Sequence, residues 1–210
     1  SPYGKGWGAC TVHPKVWNAF ESGDKRKTAS IIDLVGEGIE SSFDLKDQRE
    51  YTGYTVKKYT PMAFADGTSA SKADGSGDFQ TSQHQDFVVV RYADVLLMAA
   101  ELGSSNAQLY FDKVRSRAGL TTKEPSQENI MKERFVEFAF EGQRYWDLLR
   151  QGIDVASSTI AESGIELKSG GNPDVITITA DKIKTTKGFC QIPSTQITLS
   201  DNVLKQNAGW

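Results

Sequence analysis

Residues 87–152 carry the pattern that most narrows the folds open to this chain. Apolar residues recur there at helical spacing, and single glycines at 103, 119, 142 and 152 cut the stretch into pieces. Residues 87–102 are almost continuously apolar apart from Arg91, Asp94 and Glu101, and Gly103 supplies a stop. Ser104 and Ser105 can cap a second helix running to Ala118, with Gly119 where a left-handed residue closes it. Ser126 caps a third helix, predicted to run to Gly142. Met131, Phe135 and Phe138 fall at i, i+4 and i+7 in it, and Val136, Ala139 and Phe140 widen the stripe until little polar face is left. Residues 144–151 make a short fourth helix. Helices joined by turns this short pack as antiparallel neighbours, so the block predicts a buried core of helical hairpins.

The flanks are less regular, and the expected organisation is a loop-rich segment 1–86, the helical core 87–152 and an irregular segment 153–210. Pro14 suits a first helical turn, and Val16 and Phe20 at i, i+4 make a short amphipathic helix ended by Gly23. Residues 28–35 and 51–59 are rich in β-branched and aromatic side chains and are predicted as short strands. Residues 63–86 are mostly Ala, Gly, Ser, Asp and Gln, which predicts a long exposed loop. Residues 175–179 alternate strictly and are expected to pair with 189–192 as a small hairpin, followed by a turn-forming tail.

Charge and chemistry then exclude most functional classes. The chain has 24 Lys and Arg against 27 Asp and Glu, a net charge of −3, whereas nucleic-acid binding calls for a basic excess. Its longest charge-free apolar stretches in the most hydrophobic region, 87–90 and 95–100, are far short of a membrane span. Cys10 and Cys190 form no metal-type pair and are expected to be small buried hydrophobes, a single bridge between them being the alternative. His13 and His84 have no second ligand at i+3 or i+4, so no metal is expected. Asp74-Gly75-Ser76-Gly77-Asp78 imitates the start of a calcium loop, but Phe79 stands at the turn glycine and Gln85 at the bidentate acid. Gly36-Glu37-Gly38 is followed by Ser41 where a dinucleotide fingerprint needs its third glycine. No nucleophile elbow or phosphate loop is present, and no cofactor is expected.

Carboxylates are abundant enough to raise the question of a glycosidase. The densest set is Glu133, Glu137 and Glu141 with Arg134, Arg144, Asp147 and Arg150. Glu141, Arg144, Asp147 and Arg150 alternate in sign every three residues, within ion-pair reach on a helix. Arginine partners lower carboxylate pKa values, opposite to what a general acid needs. The set therefore predicts a structural ion network, comprising Glu133, Arg134, Glu141, Arg144, Asp147 and Arg150, that locks the third helix to the fourth. No catalytic residue is expected. Tyr3, Trp7, Tyr51 and Tyr54 differ from the core phenylalanines by lying in glycine-flanked or polar stretches, where rings with a polar handle suit sugars or peptide side chains.

Several motifs occur in a familiar order. Arg91-Tyr92-Ala93-Asp94-Val95-Leu96-Leu97-Met98-Ala99-Ala100-Glu101 is followed by Val114-Arg115-Ser116-Arg117-Ala118-Gly119-Leu120, then Glu133-Arg134, Glu141-Gly142-Gln143-Arg144 and Tyr145-Trp146-Asp147-Leu148-Leu149-Arg150. Phe20-Glu21-Ser22-Gly23-Asp24-Lys25-Arg26 and Lys58-Tyr59 precede them; Ile192-Pro193 and Leu204-Lys205-Gln206-Asn207-Ala208-Gly209-Trp210 close the chain. The set resembles the C-terminal portion of SusD/RagB outer-membrane nutrient-binding lipoproteins. That resemblance implies a mainly α fold of tetratricopeptide-like helical pairs, with long irregular loops and a small β-hairpin. It implies a non-catalytic, surface-exposed outer-membrane protein that binds oligosaccharides, or in some members peptides, for a SusC-like TonB-dependent transporter. The family's signal peptide, lipid-anchor cysteine and N-terminal helical half lie outside the resemblance, and Ser1 reads as a processed or trimmed start. Family motif residues are mainly fold determinants, and ligand contacts come from variable loops. Tyr3 and Trp7 are the expected stacking residues, and a docking scaffold for the transporter is the alternative role.

Overall fold

A computed structural model describes residues 2–4, 11–40, 49–72, 74–79, 81, 86 and 88–210. The fold is helix-rich with two small antiparallel sheets, and it divides into two compact units. Unit 1 comprises residues 1–142 and 167–174, and unit 2 comprises 143–166 and 175–210.

In unit 1, helix α1 (Pro14–Ala19) starts as expected with proline in its first turn, its N-cap His13 accepting from the Lys15 amide through Nδ1. Helix α2 (Arg26–Ser30) takes the front of the expected first strand, leaving β1 (Ile31–Asp33) to pair with β2 (Tyr54–Val56), Ile32 opposite Thr55. Ile31 and Ile32 are buried on opposite sides of this ribbon. Ile31 joins Val12, Phe20 and Val136, while Ile32 joins Tyr3, Leu34 and Tyr51. The expected exposed loop after residue 62 is partly ordered by bridges from Ser69 to Ala63 and Gly77, and Ser69 is buried.

Helices α3 (Tyr92–Glu101), α4 (Ala107–Arg117) and α5 (Gln127–Glu137) form the hairpin core around Leu96, Leu97, Ala100, Phe111, Val114 and Ile130. Two of their ends differ from the sequence expectation. Helix α3 begins five residues later than predicted, because Val88, Val89 and Val90 are β-branched and Arg91 is extended at the cap. Helix α5 is capped by Ser126, whose hydroxyl accepts from the Asn129 amide, but it stops at Glu137 rather than Gly142. The chain turns there through Phe140 at φ 68°, and the Glu141 amide donates to the Phe138 carbonyl.

Unit 2 contains α6 (Arg144–Leu149), α7 (Ile153–Ile160), α8 (Ala180–Thr186) and α9 (Ser194–Leu199). Helix α7 has no strong sequence signal. It is short, serine-rich and β-branched, and it is held by packing against α6 and α8, with Ala156 and Ser157 fully buried. The expected hairpin partner is also corrected. Strand β4 (Asn172–Ile178) pairs with β3 (Glu162–Ser169), not with 189–192, because Gly170 and Gly171 form the connection with φ of 56° and 80°. A two-residue Gly-Gly loop is the short-range hairpin signal, and it outweighs the weak alternation of β3. The hairpin tip belongs to unit 1, where Lys168 exchanges both backbone hydrogen bonds with Tyr51. No helix among the described residues is long and apolar enough to cross a membrane.

Candidate functional site

Charge, rather than a conventional catalytic cleft, dominates the interior of unit 1. Glu133 and Glu137 lie one helical turn apart on α5, and the turn through Phe140 returns Glu141 to the same region. Glu133 receives Arg26 Nη1 at 2.6 Å and Arg115 Nη1 at 2.8 Å. Glu137 receives Arg26 Nη1 at 2.8 Å, together with Arg91 and Arg117. Glu141 takes Arg91 Nε at 2.8 Å and the Lys58 ammonium. Asp24 holds Arg26 Nη2 at 2.7 Å, and Glu21 holds Arg115 Nη1 at 2.9 Å. Beside them Arg134 of α5 bonds Asp94 of α3 at 2.6 Å. The guanidinium carbons of Arg91 and Arg134 both lie over the Phe138 ring, at 4.6 and 4.9 Å.

These contacts fix the protonation of the carboxylates. Burial alone would raise the Glu137 pKa, but the Arg26 and Arg91 guanidiniums outweigh it and hold the carboxyl below its ordinary value. Glu141 behaves alike with Arg91 and Lys58. Arg115, opposed by modest burial and helped by Lys123, pulls Glu21 down to about 2. Every resolved carboxyl shift among the described residues is downward. A glycosidase acid needs the reverse. No group of three or more potential metal ligands occurs among the described residues.

The residues singled out from the sequence are distributed as follows. Glu133, Arg134 and Glu141 sit in the unit 1 cluster. In unit 2, Arg150 Nε bonds Asp147 Oδ1 at 2.9 Å, and Arg144 is half-buried, with burial lowering its pKa against the opposing charge of Asp147. The counter-ions Arg26, Lys58, Arg91, Arg115 and Arg117 were quoted above only as motif letters. The signal that could have joined them is that each of these motifs contributes a cation, and acids on a helix read as core need counter-ions. Tyr3 is only 8% exposed, packed with Ile32, Leu34 and Tyr51, and its hydroxyl donates to Glu37 at 2.7 Å. Packing against β1 has covered the ring that the glycine-flanked sequence left looking exposed. Trp7 lies outside the described residues. Tyr51 is buried, and Tyr54 stacks on Trp17 at 4.7 Å. Exposed rings occur instead at Tyr59, Phe64 and Tyr92 of unit 1 and at Trp146, Phe189 and Trp210 of unit 2. Cys190 is exposed rather than a small buried hydrophobe, and Cys10 lies outside the described residues.

At one edge of the charge cluster is a cleft of about 240 Å³. Arg115, Glu133 and Asp24, all buried, line part of it. Ala19, Phe135 and Val136 supply an apolar wall, while Glu21, Lys123 and Asn129 stand toward solvent.

Comparison with known proteins gives a consistent result. Residues 37–210 match the family model described as the SusD family. SusD-like protein P2 of Formosa agariphila is 23% identical across 99% of this chain, which spans 41% of that protein. Surface glycan-binding protein A from Bacteroides thetaiotaomicron, in complex with laminarihexaose, aligns over the whole chain with a TM-score of 0.72 and 25% identity. The Bacteroides fluxus protein of the same name gives a TM-score of 0.72 at 28% identity, again over the whole chain. A laminarin binding SusD-like protein covers 95% of the chain with a TM-score of 0.60 and 26% identity. The chain spans about two fifths of the length of these relatives, 43%, 42% and 38% of the three structures.

Proposed function

The chain belongs to the SusD family, and from that premise we propose that it is the C-terminal part of a non-catalytic, surface-exposed outer-membrane protein that binds oligosaccharide and passes it to a SusC-like TonB-dependent transporter. The observation that carries the reading is the whole-chain likeness to a glycan-binding protein whose structure holds laminarihexaose. The charge cluster agrees with it: carboxylates clamped by arginine stabilise a fold and are unsuited to protonating a glycosidic oxygen. A net charge of −3 on 210 residues suits an uncharged ligand.

Calorimetric titration with laminarihexaose tests the proposal. Stacking sites bind weakly, and millimolar affinity corresponds to about −4 kcal/mol. Trp7→Ala is expected to weaken the heat signal, and identical isotherms would remove Trp7 from the site. Absence of heat with laminarihexaose and other glycans, with heat from peptides, would move the ligand class to peptide.

A second reading, a docking scaffold for the transporter, has an observation of its own. Tyr92, Val95, Met98 and Leu102 line one face of α3 and its end, and all are exposed. Loss of transporter association in Val95→Asp, with laminarihexaose binding retained, would assign that face to docking.

A further inference from the structure

We propose that the cleft between α1, the 115–123 segment and residues 129–136 of α5 is a subsite for a single neutral sugar ring. This rests on the glycan-binding reading above and adds to it a place, a ligand size and a charge class.

Size comes first. At about 240 Å³ the cleft falls below the roughly 300 Å³ at which pockets for drug-sized ligands begin, so it suits one ring rather than a chain of them. Its lining is two-sided. Ala19, Phe135 and Val136 offer an apolar surface, and a pyranose presents carbon-bound hydrogens on its faces. Toward solvent stand groups able to meet a rim of hydroxyls. Glu21, whose side chain is 40% exposed, accepts from Arg115 and Lys123, and a carboxylate has about four lone-pair sites, so it can accept again. Asn129 donates one amide hydrogen to the Glu124 carbonyl, which leaves its Oδ1 and second hydrogen for a hydroxyl.

Charge decides the class. The acids Glu21, Asp24 and Glu133 are matched by Arg115, Lys123 and Lys132 in the lining. Each of these acids already holds a cation: Glu21 to Lys123 is 2.9 Å, Asp24 to Arg26 2.7 Å and Glu133 to Arg115 2.8 Å. An ionic ligand would place an unmatched charge beside a buried, balanced set, at a desolvation cost that a neutral polyol avoids.

The test follows backbone amides by NMR while the whole chain is titrated with glucose, glucuronate and laminarihexaose. Glucose is expected to move the Glu21 and Asn129 amides at millimolar concentration, and glucuronate to bind at least threefold more weakly. Ala19→Phe fills the apolar end and should weaken glucose binding fivefold or more. Lys123→Met, at an exposed position, removes a donor while leaving the buried Arg115–Glu133 pair in place and should weaken it about threefold, which keeps the test valid if Ala19→Phe unfolds. Silent cleft amides, unchanged affinity in both variants, or tighter binding of glucuronate would overturn the subsite. Laminarihexaose heat with silent cleft amides would overturn it while leaving the surface-glycan reading intact. Glucose binding in the cleft without laminarihexaose heat would support the subsite and count against capture of longer chains.

Discussion

Glu137→Gln is the perturbation that most directly tests the role of the buried charges. The wild-type carboxylate is 2% exposed by residue and meets three guanidiniums, from Arg26, Arg91 and Arg117. Glutamine keeps the shape but removes the charge and turns an N–H toward donors that have nothing to donate to. The loss is not the sum of three contacts. Arg26 keeps Asp24 and Glu133, Arg91 keeps Glu141, and Arg117 is 61% exposed and can turn to water. Breaking a buried pair from one side costs about 3–5 kcal/mol, and the partial compensation places this case near about 3 kcal/mol. At about 2–4 °C per kcal/mol for a chain of this size, the melting temperature should fall by about 6–12 °C. Urea unfolding followed by far-UV circular dichroism measures the free-energy loss, and a thermal scan with the same signal measures the melting temperature. The exposed pair Lys132–Glu128, 2.6 Å apart with side chains 70% and 76% exposed, is the internal contrast: Lys132→Ala should leave the urea midpoint nearly unchanged. A Glu137→Gln loss below about 1 kcal/mol would refute the claim that the cluster holds unit 1 together.

The same carboxylates set the acid response. Glu21, Glu137 and Glu141 titrate lower in the folded chain than their ordinary value of 4.5, so the unfolded chain takes up protons first. Their stabilisation is complete above about pH 5 and is lost as pH falls below 4.5, the share of Glu21 going as pH approaches about 2. Urea midpoints that do not change between pH 6 and pH 3 would contradict this. In unit 2, Gly209 has φ of 87°, and a Cβ there would meet the Thr185 backbone at 2.9 Å. Gly209→Ala should therefore release the tail, breaking the bond from Lys182 Nζ to the Gly209 carbonyl and the stacking of Lys182 on Trp210, visible as a change in tryptophan fluorescence.

The helical core was legible because its signals are local. Glycine stops, the Ser126 cap and the spacing of Leu96, Leu97, Phe111 and Ile130 depend only on neighbours within a few turns. Where the reading slipped, a turn or a packing contact had overridden the apolar pattern of the segment itself. Residues 162–169 lack alternation yet form β3, because Gly170-Gly171 turns the chain back on itself. Helix α7 exists because α6 and α8 bury Ala156. Tyr3 looked exposed beside its glycine, and only the approach of β1 and Tyr51 covered it.

The charged residues show the division most clearly. By itself the sequence determined that a helical core must form and that the acids of the third helix would be matched by arginines, since isolated buried carboxylates are too costly to persist. It also placed the motif cations Arg26, Lys58, Arg91 and Arg115 in order along the chain. Only the tertiary structure decided which cation meets which acid. Ion pairing has no sequence period, and the separations involved, 107 residues for Arg26 to Glu133 and 83 for Lys58 to Glu141, are closed by packing of helices and ribbon rather than by spacing.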